Sequence, residues 1–103
     1  MGIDVYLCNE RGVPIESSFS FGATLPSGLL PVSYDGSSST LRFVDPYGNT
    51  MFNHHQAAAL SDELSLMVAQ PMSDEDRDAL HTVIELANTC AAGAHLYLWF
   101  IGD

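Results

Sequence analysis

The residues of this 103-residue chain with the means to do chemistry are four histidines, two cysteines and thirteen carboxylates. Adjacent His54 and His55 suggest a start on a metal site, with His81, His95 and carboxylates to complete it. Neighbouring helical residues, however, point about 100° apart and do not converge easily on one ion. No HExxH or CxxC spacing supports a metal centre either, and a solvated first helical turn accounts for His54 and His55. Nucleophilic catalysis also lacks a signature: there is no GxSxG elbow, no glycine-rich phosphate loop and no cysteine in a diagnostic context. Cys90 falls on the apolar stripe of a helical pattern, where a thiol is inert. The sequence thus specifies no catalytic residue, no metal centre and no cofactor. Sites assembled from distant residues leave no local motif. The version this pattern allows is a small enzyme or ligand-binding domain that gathers Asp4, His95 and nearby loop residues at the end of a central strand pair.

Charge says more about partners than about reactions. Three arginines and no lysine stand against the thirteen carboxylates, for a formal charge of −10. Such a field attracts basic proteins and repels nucleic acid and anionic membranes. The densest run is Asp74, Glu75, Asp76 and Asp78, compensated only by Arg77. Helix-dipole complementarity explains the carboxylates of a first turn, while Asp62 and Glu63, expected on the exposed side of the preceding helix, extend the acidic surface. Tyrosine and tryptophan are the usual anchors of protein interfaces. Tyr34 and Tyr47, in loops beside Asp35 and Asp45, are the aromatic residues expected outside the core, whereas Phe52 belongs inside. The candidate partner-binding set is therefore Tyr34, Asp35, Asp45, Tyr47, Asp62, Glu63, Asp74, Glu75 and Asp78.

These side chains must be carried by a small number of elements. Residues 2–8 alternate Ile3, Val5 and Leu7 against Asp4, Tyr6 and Cys8, the period of a strand with one buried face. A turn at residues 9–12 leads to a second, less regular strand over 13–21, which pairs back as a hairpin, with Pro14 placing it at an edge. Residues 22–40 are rich in Gly, Pro and Ser and read as a long loop held down by Leu25, Leu29, Leu30 and Val32. Residues 40–44 read as a short strand and 45–48 as a tight turn with Pro46 at its second position. Asn53 caps a helix over 54–70, with Leu60, Leu64, Met67 and Val68 on one stripe and Pro71 at its end. Ser73 caps a second helix whose stripe runs through Ala79, Leu80, Val83, Ile84, Ala87 and Cys90 to a stop at Gly93.

Residues 95–101 are apolar on both faces, which suits a central strand paired with the first one and covered by helices on one side. Its second apolar face would admit a loop, a partner or another copy of the chain, as in a homodimer. The sum is one domain over residues 1–103, an α+β fold with a three- or four-stranded, mostly antiparallel sheet and two helices packed on one face. No window approaches the roughly 20 apolar residues that span a bilayer, and no basic, apolar leader opens the chain. A cytoplasmic protein is expected, with Cys8 and Cys90 as buried thiols rather than a disulfide.

Residues 1–7 (MGIDVYL), 45–53 (DPYGNTMFN) and 95–103 (HLYLWFIGD) resemble stretches of small acidic bacterial proteins. In size and charge the chain is also similar to the immunity proteins that neutralise polymorphic or contact-dependent toxins. That resemblance implies a cytoplasmic inhibitor occluding the active cleft of a basic toxin domain, and it carries over no individual residue.

Overall fold

A computed structural model describes residues 2–15, 23–26 and 40–102. Strand β1, Gly2–Asn9, follows the alternation of its sequence: Ile3, Val5 and Leu7 turn inward and Asp4 faces solvent. Strand β4, Leu96–Ile101, lies antiparallel beside it, with Tyr6 opposite Trp99 and Leu7 opposite Leu98. Strand β2, Ala23–Pro26, flanks β1, and β3, Asn49–Phe52, flanks β4, so the antiparallel sheet has the order β2-β1-β4-β3. Helices α1, His54–Met67, and α2, Asp74–Ala92, cover one face. Leu60, Leu64, Leu80, Val83, Leu86 and Cys90 from the helices meet Val5, Leu25, Leu98 and Phe100 from the sheet in a single core. The α+β architecture required by the two periodicities is the one observed, with four strands.

The helix ends are built by the residues expected to build them. The Asn53 side chain accepts from the Gln56 N–H and the Gln56 side chain from the Asn53 N–H, a reciprocal pair that satisfies two otherwise unpaired donors. Ser73 Oγ accepts from the Asp76 N–H at the start of α2. Helix α1 stops three residues short of Gln70, since the residue before Pro71 is disfavoured in helical conformation. The Arg77 guanidinium donates to the carbonyls of Val68 and Gln70 and so joins the two helices where α1 ends.

Three segments depart from expectation. Residues 40–44 are not a strand: Leu41–Phe43 is a single 3-10 turn. The Phe43 and Val44 N–H groups close the turn on Thr40 O and Leu41 O, while the Glu63 carboxylate accepts from the N–H groups of Thr40 and Leu41 at 2.9–3.1 Å. Strand β2 lies inside the expected long loop, with Leu25 fully buried. Strand β3 fills the short stretch between the 45–48 turn and the Asn53 cap, to which the sequence pattern assigns no element. Of the expected strand over 13–21, Pro14 forms one bridge to Cys8 and the Ile15 N–H donates to Leu7 O, while residues 16–22 lie outside the described residues. Among the described residues no helix is long and apolar enough to cross a membrane.

Candidate functional site

Seven of the thirteen carboxylates, Asp62, Glu63, Asp74, Glu75, Asp76, Asp78 and Glu85, lie on the two helices. Asp74, Asp78, His81 and Glu85 follow one another at spacings of four, three and four, which stacks them on one exposed stripe of α2. Glu75 is exposed beside them, and Asp62 is exposed on α1. Arg77 is the one basic residue in this layer apart from histidines, and its guanidinium is turned to the carbonyls that end α1.

Glu63 differs from its neighbour. It is half-buried, and its carboxylate is engaged by the backbone of residues 40 and 41, so only Asp62 of the expected pair faces outward. A carboxylate accepting several amide N–H bonds is worth more than a neutral hydrogen bond. Glu63→Ala is expected to cost about 1–3 kcal/mol in urea denaturation, with Asp62→Ala close to neutral. Equal effects of the two changes would refute this assignment.

The second group of candidate residues sits on a turn held at several points. Tyr47 is 76% exposed, as its turn sequence suggests. Asp45 Oδ1 accepts from the Tyr47 N–H at 2.9 Å, the local bond that makes aspartate a turn former. Thr50 Oγ1 accepts from the Asp45 N–H at 2.9 Å and donates to Phe43 O at 3.5 Å. On the far side the Gly102 N–H donates to Gly48 O at 2.8 Å. A Cβ at Gly102 would lie 2.3 Å from the Pro46 carbonyl oxygen, so the turn approaches as closely as it does because that residue is glycine.

Sequence reasoning missed two residues here. Phe43 is 61% and Met51 53% exposed, and the Arg42 guanidinium lies 4.8 Å from the centroid of the Phe43 ring. A strand over 40–44 hid Phe43, because alternation puts it on the same face as Leu41. The signal that would have found it is the three-residue spacing of Leu41 and Val44, both buried, which is the period of a 3-10 turn. Tyr34 and Asp35 lie outside the described residues.

On the sheet face away from the helices, Tyr6, Trp99 and Met51 form a cross-strand row. Trp99 is half-buried and its Nε1 has no hydrogen-bond partner among the described residues. Gly12, with φ of 79°, brings the turn after β1 against the indole, where a Cβ would stand 3.1 Å from Cζ2. Phe52 is buried as expected, edge-on to Phe100 at 5.5 Å.

A site shared by Asp4 and His95 is not formed. Asp4 pairs with Ile101, whereas His95 precedes Leu96, the partner of Asn9, so the antiparallel register puts the two at opposite ends of the ladder, about 20 Å apart. The His95 imidazole instead lies 3.5 Å from the exposed Glu10 carboxylate, and Asp4 accepts from Thr24 Oγ1 at 3.2 Å. The His54 and His55 rings lie against each other, with centroids 4.1 Å apart. Among the described residues no three His, Cys, Asp or Glu side chains come together as a metal-binding group. Both edges of β4 are paired, by β1 and β3, so what this strand offers a partner or a second copy is its face and not an edge. Cys8 and Cys90 are free and buried.

Comparison with known protein families, with curated proteins and with solved structures found no match to this chain.

Proposed function

We propose that this chain is a non-enzymatic protein-binding domain whose helical layer draws in a basic partner. The observation that carries the reading is the α2 stripe of Asp74, Asp78 and Glu85, joined by Asp62 of α1, in a layer whose one arginine is committed to backbone carbonyls. Carboxylates so arranged act on encounter: they raise the association rate of a positively charged protein and disfavour acidic competitors.

The finer form of the proposal is a cytoplasmic immunity-type inhibitor that occludes a basic toxin domain, supported by the small size and the charge of −10. The protein encoded by the adjoining reading frame should then arrest growth when produced alone and be silent when this chain is co-produced. Growth arrest that co-production fails to relieve refutes the inhibitor. The broader reading is tested on the same pair by stopped-flow mixing. Asp74→Asn, Asp78→Asn and Glu85→Gln together should slow association roughly tenfold or more at low ionic strength, with the difference shrinking toward 1 M salt. A rate indifferent to both charge and salt would remove the helical layer from recognition.

A further inference from the structure

Among the described residues, three of the five large apolar side chains that stand exposed, Phe43, Tyr47 and Met51, fall within nine residues of one another. Their backbone is tied by the Thr50 hydroxyl and by Gly102, so covering them would require little further ordering of the chain. The strand they flank is an edge: among the described residues no strand lies beyond β3. Proteins usually protect such edges with lysine, proline or an inward-pointing charge. Strand β3, Asn-Thr-Met-Phe, has none of these, whereas the opposite edge strand ends in Pro26.

Charge indicates what covers this rim. Residues 40–53 hold one cation, Arg42, and one anion, Asp45, while the helical layer sets seven carboxylates against one arginine. A basic partner drawn to the helices has no electrostatic reason to prefer a balanced patch. A second copy of the chain, itself strongly negative, does, because here like-charged molecules can meet with their helical layers turned away. A twofold axis makes a patch contact itself, and one Arg and one Asp are self-complementary under that operation. We propose that the β3 rim of Arg42, Phe43, Asp45, Tyr47 and Met51 is the contact through which two copies associate, Arg42 of each facing the partner's Asp45. The helical surfaces remain free on both copies, so this dimer stands or falls independently of the partner-binding role.

Sedimentation equilibrium of the whole chain across the micromolar range tests it. The wild type should move from one to two chains with concentration, and more readily at higher salt, since salt screens the repulsion between the copies. Tyr47→Lys and Met51→Lys should each raise the dissociation constant about 30-fold, with circular dichroism and melting unchanged. Arg42→Asp and Asp45→Arg should each be monomeric alone, yet recover the dimer when mixed, because the mixed pair restores both ion pairs. A wild type that remains monomeric throughout, or a dimer indifferent to Tyr47→Lys and Met51→Lys, overturns the proposal. Should Asp45→Arg fail to fold, the two lysine variants still decide it.

Discussion

Truncation of Phe100 to alanine is expected to remove about 3–5 kcal/mol of folding stability, against a total of roughly 5–15 kcal/mol for a domain of this size. Phe100 is fully buried in the central strand β4, with Val5 opposite on β1 and Thr50 on β3. Its ring meets Phe52 edge-on at 80°, a geometry that adds to simple burial. The cavity cannot easily be refilled by shifting the strand, because β4 is hydrogen-bonded on both sides and a slip by one residue would turn every side chain to the wrong face. Urea denaturation followed by circular dichroism reads the loss directly, and Phe100→Leu should cost less than half as much. A penalty below about 1 kcal/mol would mean that sheet and helices do not close over this ring.

The second large effect concerns alkaline pH. Cys90 is fully buried in the core, and burial pushes its thiol from 9.0 up to about 11, with the charge of an ionised Cys8 adding to the rise. Burial raises the Cys8 thiol too. A raised folded-state value means that the fold tolerates the protonated thiol and resists the thiolate. The corresponding stability is complete below pH 9 and is lost as pH rises from 9 toward about 11. For Cys90 the linked loss is about 2–3 kcal/mol once the thiol has titrated in both states. Cys90→Ala removes that titration at the cost of some packing, so its stability should decline less steeply than the wild type's across this interval. Parallel curves would show that Cys90 is not held in the apolar core. At neutral pH the same burial predicts slow labelling by thiol reagents in the native state and rapid labelling in denaturant.

Much of the fold could be read from local pattern because the relevant signals were local. Ile3, Val5 and Leu7 alternate over a full strand, and Asn53 and Ser73 mark helix starts by side-chain chemistry that involves only the next few residues. The misses lie where a distant group decides. Residues 40–44 have strand-like composition, but Glu63, more than twenty positions away, takes the amides of Thr40 and Leu41 at the start of what is a 3-10 turn. Leu25 pairs with Ile3 despite its surroundings of glycine, proline and serine, because β1 offers an open edge. Four residues of β3 are too few for a period of two to stand out.

The candidate site divides in the same way. The exposure of Tyr47 follows from turn residues beside it, and that of Asp74 and Asp78 from their helical positions. The exposure of Phe43, the engagement of Glu63 and the separation of Asp4 from His95 depend on tertiary register, to which no neighbouring residue testifies.

The middle of the sheet is made from opposite ends of the described chain, Asp4 lying beside Ile101. A ladder of that kind closes only when almost the whole sequence has been drawn into one loop, the most entropically demanding closure available to it. Helices α1 and α2, joined by six residues, need no such search. Folding is thereby ordered in time: the helical hairpin can dock early, and the meeting of first and last strands sets the pace.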